Sequence, residues 1–577
     1  RHAQMISLSP FHAHATRTRK RWGRLIVLVL LFLEGMSSRG LSEKTLVLAL
    51  GTDPKSFNAA ISQETSTSEV VGLLFEGLTR FDSRTGEILP SLAESWDSSP
   101  DGLTWTFHLR KGVEWFDGHP FTSRDVLFTF RDLLLNPSVP VPARGIFTLK
   151  GDPLRVEAPD EMTVRFFLPQ PFAPFLMALN YPVFPEHALR EAVSQGKLAS
   201  VWGIGEKPEN IIGTGPFKLG KYLPGERVEL VRNDRYWRKD PRGKALPRLE
   251  KIFLLIIPNP ETRLLKFLEG ELDVYPVRGN DYPLLKPLEE KKDFRIYETG
   301  VDVGSHFLVF NHQDKNTGRR AWFQDQTFRE AVSRAIDRRA MAELIYNGFA
   351  VPQCSPVSPG IPFFFDPDIP CPDYNPRSAE AMLLSEGFRD ANHDGILEDP
   401  EGNSIDFTIL TNSENPERLA IASMIRQDLS EIGMKVNLLP VEFNSLVVKL
   451  TATGEWSAAV MGLTGSPDPH FGITVWKSDG ALHFWNRGGI RTDWEKRLDA
   501  IFDQAAVSPD RNTRKALYDE WQEIAARELP LIYTVLPKTV YAVKNRLRHV
   551  SPTPLGGALH NIEEIDIGES RTEEAAA

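Results

Sequence analysis

Cysteine is almost absent from this sequence of 577 residues, which contains only Cys354 and Cys371. Two thiolates are too few for a closed metal site built from four cysteines. Both lie in one proline-rich stretch, and an exported chain folds in an oxidising compartment. We therefore expect a disulfide between them, with two free thiols as the alternative. Closing so short a loop stabilises a fold by about 3 kcal/mol.

An excess of basic residues is also missing, because 67 Lys and Arg stand against 77 Asp and Glu, for a formal net charge of −10. A surface that binds nucleic acid needs clustered positive charge, so we expect no nucleic-acid partner. The sequence also contains no H-E-x-x-H, G-x-S-x-G or phosphate-binding Gly-Lys-Ser/Thr motif. These absences predict a protein that is not an enzyme and requires no cofactor.

An apolar run typical of membrane targeting occurs only near the N-terminus, at residues 25–33. Basic residues precede this run and small residues follow it, which is the pattern of a secretory signal. We predict a signal peptide over residues 1–40 and a periplasmic location. The run is shorter than a usual membrane-spanning helix, and an uncleaved anchor is the alternative. At the other end, the small and polar residues 569–577 predict a disordered tail.

Strand and helix patterns are mixed along the chain, which predicts an α/β fold. Over residues 405–438 a strand, a helix and a second strand follow one another, and Asn415 with Pro416 marks the start of the helix. This order predicts a parallel strand pair with a right-handed crossover. Ligands in such sheets bind beyond the carboxyl ends of the strands, which points to the loops 411–414 and 464–470.

Two capping boxes are predicted from sequence, one formed by Thr122 and Asp125 and one by Thr327 and Glu330. Behind Thr327, apolar residues recur at helical spacing as far as Asn347. We therefore expect a single helix between Thr327 and Asn347.

Polar and aromatic side chains in the two loops, at the expected hinge and in a following aromatic stretch are candidates for binding a ligand. The predicted ligand-binding residues are Asn311, Asn412, Ser413, Ser466, Asp468, His470, Trp485 and Asn486. Three of them have a structural alternative. Asp468 also fits the cap of a turn before Pro469, Trp485 also fits core packing, and Asn311 also fits a hydrogen-bonded hinge residue.

A calcium-binding pattern occurs between residues 390 and 401, where Asp390, Asn392, Asp394 and Glu401 match the EF-hand loop. The backbone carbonyl of Ile396 takes the seventh position of that pattern. Oxygen ligands at alternating positions are what Ca²⁺ requires. A strand rather than a helix follows the loop, so a plain turn is the alternative. Calcium, where bound, is expected to have a structural role.

Eight short segments resemble the peptide/nickel-type solute-binding proteins, which are the bacterial extracellular solute-binding family 5. In order, the segments lie at 89–96, 105–107, 109–126, 213–217, 233–237, 268–273, 329–337 and 529–532. Each segment is short, but together they follow the order of the family over about residues 45–550.

The resemblance implies a two-lobed periplasmic-binding-protein type II (Venus flytrap) fold with an extra small domain on the first lobe. Its expected parts are lobe I at 41–80, 191–306 and 535–568, the small domain at 81–190, and lobe II at 307–534. The hinges are expected near 307–311 and 532–537. The lobes are expected to close on a ligand, because a ligand that contacts both lobes favours the closed state.

The resemblance further implies a solute-binding protein, expected to be a monomer, that delivers peptides or peptide-like solutes to an ABC permease in the membrane. Ser466 stands where peptide-binding members commonly have an Asp for the ligand amino group, and the loop 411–414 lacks the Arg that holds a dipeptide carboxylate. Alternative solutes are a nickel chelate, haem, an oligosaccharide or an opine. A secreted hydrolase of similar architecture is a further alternative.

Overall fold

The structure is a computed structural model that describes residues 44–62, 65–149 and 151–568. The predicted signal peptide at 1–40 and the predicted tail at 569–577 lie outside the described residues. Within the described ranges, no helix combines the length and the apolar character that crossing a membrane would require.

The first sheet contains the N-terminal strand Thr45–Leu50, whose bounds agree with the sequence pattern. This strand pairs in parallel with Lys251–Ile256. Arg227–Arg232 and Phe217–Leu223 extend the sheet in antiparallel orientation. The helix Pro260–Glu269 follows the strand Lys251–Ile256 along the chain. Gly270 ends this helix with φ 86°, a left-handed conformation that glycine adopts without a steric penalty.

A second sheet is built on the long strand Val535–Lys544 near the C-terminus. Val274–Pro276 and Phe294–Val301 flank this strand on either side, and Ala350–Pro352 pairs with its beginning. Strands from widely separated parts of the chain therefore meet in one sheet, as in a lobe that the chain leaves and re-enters.

A separate antiparallel sheet lies between these elements in sequence, formed by Ala93–Ser98, Thr104–Leu109, Thr163–Phe167 and Arg155–Asp160. The helix Ser123–Leu127 packs near it, and the capping box of Thr122 and Asp125 is confirmed at its start. The interior of this region is aromatic. Phe107, Phe130, Phe166 and Phe175 lie in ring contact with one another.

The third main sheet has the strand order Lys435–Val441, Asp406–Asn412, Ala458–Leu463, Ser305–Phe310 and Leu531–Tyr533. The first three strands are parallel, and the helix Pro416–Glu431 connects the first two along the chain, so the predicted strand–helix–strand unit is confirmed. Neighbouring residues of each central strand pack into separate cores on the two faces of the sheet. Burial on both faces explains their nearly continuous apolar sequences.

Further helices cover the sheets. They include Thr65–Val71, Glu186–Ser194, Thr317–Gln324, Pro376–Ser385, Asp493–Val507 and Arg511–Glu528.

The predicted capping box at Thr327 and the single helix behind it are wrong. Asp325 caps the helix Gln326–Ala335 by accepting a hydrogen bond from the backbone N–H of Phe328. The chain then turns, and a second helix, Arg338–Tyr346, begins after its own Asp cap. The N-cap is therefore Asp325, two residues upstream of Thr327, and Thr327 itself lies in the first turn of the helix.

The predicted disulfide is confirmed. Cys354 and Cys371 are bonded, with their Cα atoms 5.0 Å apart and a separation of 17 positions in sequence. The bond closes the loop that leads from the second sheet toward the helix Pro376–Ser385.

The chain passes directly from a strand of the second sheet to a strand of the third at residues 302–304, and directly from the third sheet back to the second at Thr534. The two crossings run side by side. The N–H of Asp302 donates to the carbonyl of Pro537, and the N–H of Thr534 donates to the carbonyl of His306, each at 2.9 Å. Residues 307–310, in the hinge predicted near 307–311, belong to a strand of the third sheet, which begins pairing at Ser305.

Candidate functional site

A cavity of about 690 Å³ lies between the two sides of the molecule, which are the part built on the second sheet and the part built on the third sheet. Residues 299–301 and Pro554 line it from the side of the second sheet. Residues 359–364, Asp468 and Arg511 line it from the side of the third sheet. A cavity with walls from both sides is the place where a ligand contacts both of them.

A smaller cavity of about 240 Å³ lies at the carboxyl end of the strand Ala458–Leu463, as the parallel topology predicts. The loop residues 464–466 and the crossing residues 303–305 line it, together with Trp476. Asp468 lines both cavities. The predicted loop 464–470 therefore reaches the space between the two sides.

Asp468 already has ionic and hydrogen-bonding partners within the protein. Its two carboxylate oxygens accept hydrogen bonds from Arg514 at 2.7 and 2.9 Å, and the side chains of both residues are 7% exposed. One of these oxygens also accepts from the N–H of His470 at 2.9 Å, which caps the short turn Pro469–Gly472. The turn-capping interpretation is the one that the geometry supports.

His470 lies at a contact between the two sides. Its ring packs edge-on against Phe172 with the ring centroids 5.2 Å apart, and the N–H of Ala173 donates to the carbonyl of Ala506 at 2.7 Å beside it. Burial lowers the pKa of His470 to about 4. The imidazole is therefore neutral near pH 7 and serves as a packing surface.

Three predicted ligand residues lie in the protein interior, which corrects their assignment. Asn311 donates to the carbonyl of Trp456 at 2.9 Å, and its side-chain oxygen accepts from the N–H of Gln313. Trp485 is 0% exposed, and Asn486 is 7% exposed. The hydrogen-bonding groups of these residues are directed to protein partners, because a buried polar group is stable only when it is paired.

Glu495 is the centre of the buried network that contains Trp485 and Asn486. Its carboxylate accepts from the indole N–H of Trp485 at 3.0 Å, from the amide of Asn486 at 2.9 Å and from the N–H of Thr492 at 2.7 Å, and it contacts the ring of His483. Burial alone raises the pKa of Glu495, but these hydrogen bonds outweigh burial and lower the pKa to about 2. The sequence pattern did not identify this residue, although the capping box that it forms with Thr492 was a readable signal.

Replacing Glu495 by Gln is expected to lower the free energy of unfolding by about 2 kcal/mol at pH 7, because hydrogen bonds to a buried charge are lost. The pKa of Glu495 is about 2 in the folded state and 4.5 when unperturbed. The stability it contributes is therefore fully present above about pH 4.5 and is lost as the pH falls toward 2. Denaturation of both proteins from pH 7 to pH 3 should show their difference shrinking. Glu520→Gln, at an exposed ion pair, is the control, and a difference independent of pH would contradict the argument.

The loop 411–414 contains no arginine, but the structure brings one to it. Arg418, in the first turn of the following helix, donates to the side-chain oxygen of Asn412 at 2.7 Å. Its guanidinium passes so close to Gly462 that a Cβ atom there would lie 2.5 Å from it. Ser413 is exposed, and its N–H donates to the carbonyl of Val441. Arg418 was not among the predicted site residues, because it lies in the helix that follows the loop and not in the loop itself.

Arginines also stand at the larger cavity. The guanidinium of Arg511 stacks on the ring of Phe363 with 3.7 Å between its central carbon and the ring centroid. Arg84 lines the cavity from the other side and pairs with Asp82 at 3.1 Å. Prolines and phenylalanines form much of the remaining wall. The cavity therefore offers apolar surface together with positive charge.

Among the residues that the structure describes, two groups of side chains have the composition of metal sites. Carboxylate oxygens of Asp390, Asp394 and Glu398 lie within 4.8 Å of one another. Glu401, which the EF-hand pattern assigns as the last ligand, is not a member of this group. Its N–H donates to Asp399 in a separate turn, which corrects the predicted ligand set.

The second group consists of Asp117, His119 and His187 on an exposed part of the surface. One Asp117 oxygen lies 3.0 Å from a ring nitrogen of His119 and 2.8 Å from a ring nitrogen of His187. The two rings stack with centroids 4.0 Å apart. These three side chains already satisfy one another as hydrogen-bonding partners.

The fold can be compared with that of known proteins. Residues 87–482, more than half of the chain, match the model of the bacterial extracellular solute-binding proteins, family 5 (middle region). The chain belongs to this family. The family resemblance seen in the sequence is thereby confirmed, and so is the two-lobed type II fold.

Relatives match the family 5 chain over most of their length. A probable ABC transporter-binding protein of Deinococcus radiodurans is 29% identical, covering 86% of this chain and 87% of the relative. The dipeptide-binding protein of Escherichia coli is 27% identical, covering 91% and 95%. The solved structure of the oligopeptide-binding protein AppA from Bacillus subtilis, in complex with a nonapeptide, has a TM-score of 0.75 at 25% identity, covering 91% of this chain and 99% of that one.

Proposed function

We propose that this family 5 protein is the solute-binding component of an ABC importer and captures a peptide or peptide-like solute in the periplasm. The observation that carries the proposal is the 690 Å³ cavity, which both lobes line. Its volume lies within the range of small-molecule sites, about 300–1,000 Å³. The names of the relatives, which include peptide-binding proteins, support the same function.

The positions of the two crossings account for how capture works. Residues 302–304 and Thr534 connect the lobes beside the cavities, so a small change of backbone angles there moves one lobe against the other. A solute that touches both walls binds the closed arrangement more tightly than the open one, and it shifts the population toward closure. The closed monomer is then the form that delivers the solute to the permease.

The side chains that line the cavity restrict the chemical class of the solute. Asp468 is paired with Arg514, and Ser466 stands in the adjoining loop, so neither presents a free carboxylate to a peptide amino group. Arg511 and the neighbouring Phe363 present a cation and an apolar ring at the cavity. The proposed solute therefore carries a carboxylate and apolar side chains, and it is not held at both ends as a short zwitterionic dipeptide would be.

Native mass spectrometry of protein purified without denaturation should reveal a bound solute, and thermal denaturation with a peptide library should give an increase in Tm by mass action. We expect Arg511→Gln to weaken the binding of carboxylate-bearing peptides by about tenfold, since one charge-assisted contact is lost. Arg497→Gln, on the exposed surface of another helix, is the matched control. The proposal fails if no peptide shifts Tm while sugars or metal chelates do.

A further inference from the structure

We propose that Asp390, Asp394 and Glu398 form a structural calcium site on the second lobe. One oxygen from each carboxylate lies within 4.8 Å of the others. Backbone N–H groups of the loop donate to Asp390 and Asp394. Three carboxylates held this close still repel one another, and a cation between them removes that repulsion. All three are hard oxygen donors, which suit Ca²⁺ and do not favour a transition metal that prefers nitrogen or sulfur ligands.

Glu398 supplies the observation that points to an ion. The residue is 7% exposed, and one of its oxygens accepts a hydrogen bond from the N–H of Ala391 at 2.8 Å. The other oxygen, Oε1, is buried and has no hydrogen-bonding partner among the described residues. A buried carboxylate oxygen without a partner is costly, and a bound cation at the neighbouring Asp390 and Asp394 supplies the missing interaction.

The backbone of the loop agrees with this assignment. Gly395 has φ 86°, the left-handed conformation that the sixth position of a calcium loop requires for its sharp turn. Mutual backbone hydrogen bonds between Arg389 and Glu398 close the loop, and the N–H of Leu397 donates to the carbonyl of Gly433. Residues 390, 394 and 398 occupy the first, fifth and ninth positions of the EF-hand pattern.

The site differs from an EF-hand in how the chain leaves it. After Glu398 the chain enters a tight turn around Asp399 and continues into the strand Asp406–Asn412, whereas an EF-hand continues into a helix. Without that helix, Glu401 does not return to the loop as a bidentate ligand. A site with fewer carboxylate ligands binds calcium weakly, in the range of about 10⁻⁴–10⁻³ M that is found in extracellular modules.

The test uses the full chain, freed of metal with EDTA and titrated with calcium chloride up to about 10 mM, with binding followed by calorimetry and by Tm. We expect heat of binding and a rise in Tm for the wild type. Glu398→Gln and Asp394→Asn should each weaken binding by about tenfold or more, since each removes one negative ligand. Asp394→Asn retains the side-chain oxygen that accepts from Ile396, so the loop is expected to fold in that variant.

Glu401→Gln is the matched control, and we expect it to bind calcium as the wild type does. This control separates the structural ligand set from the sequence pattern, which assigns Glu401 as the principal ligand. The proposal is overturned if the wild type shows neither heat nor a Tm shift with calcium. It is also overturned if Glu401→Gln loses binding while Glu398→Gln and Asp394→Asn keep it.

Discussion

Replacing Asp468 by Asn is expected to lower the free energy of unfolding by about 3–5 kcal/mol, because it leaves the buried guanidinium of Arg514 without a counter-charge. Both side chains are 7% exposed, and two short hydrogen bonds join them. The same change weakens the cap of the turn at His470, which rests on one of these oxygens. Urea denaturation of the full chain, followed by tryptophan fluorescence, measures the loss in the free energy of unfolding.

Two further variants make the Asp468 result specific. Arg497→Gln breaks an exposed pair with Glu520, whose side chains are 40% and 38% exposed, and should change stability by less than about 1 kcal/mol. The double variant Asp468→Asn with Arg514→Met should be more stable than Asp468→Asn alone, since the unpaired charge is then gone. A stable Asp468→Asn variant with reduced solute affinity would instead identify Asp468 as a ligand anchor.

Replacing Gly465 by Ala is expected to lower both stability and solute affinity. A Cβ atom at this position would lie 1.8 Å from the carbonyl oxygen of Val303 and 3.0 Å from its Cβ. Val303 belongs to a crossing between the lobes, and Gly465 lines the smaller cavity beside it. Backbone must move to relieve this overlap, at a cost of about 1–3 kcal/mol.

Thermal denaturation and solute titration of Gly465→Ala should therefore both show losses. Gly205→Ala is the matched control, because a Cβ atom at that position meets no heavy atom within 4 Å. If Gly465→Ala behaved like Gly205→Ala in both measurements, the crossing and the loop 464–466 would not be as tightly packed as the geometry requires.

The elements that could be predicted are those whose signals come from residues close together in the sequence. Asn415 and Pro416 start a helix, and the strands on both sides of it have apolar sequences, so the parallel unit is readable from one contiguous segment. The cap at Thr327 shows the limit of such signals. Asp325 offers a competing cap two residues earlier, and it is the residue that caps the helix in the structure.

Whether a side chain is free to bind a ligand could not be predicted in the same way. Asp468 lies at the cavity as the loop position indicates, but its partner Arg514 is 46 residues further along the chain. Glu398 replaces Glu401 in the acidic group for a related reason. The alternating oxygen-bearing residues of the loop are visible in the sequence. The tight turn around Asp399, which directs Glu401 away from the acidic group, is a feature of the folded chain.

The sequence by itself determined the family, the α/β character, the disulfide partners, the two candidate loops and the position of one of them, 464–470, at the cavities, because each depends on local pattern or on the order of short motifs. The tertiary structure decided which residues in those loops are free to meet a solute. It assigned Asp468 to Arg514, placed Trp485 and Asn486 on buried Glu495, and brought Arg418 to Asn412. A charge is free or paired according to what lies within a few ångströms of it, and that distance is set only when the chain folds.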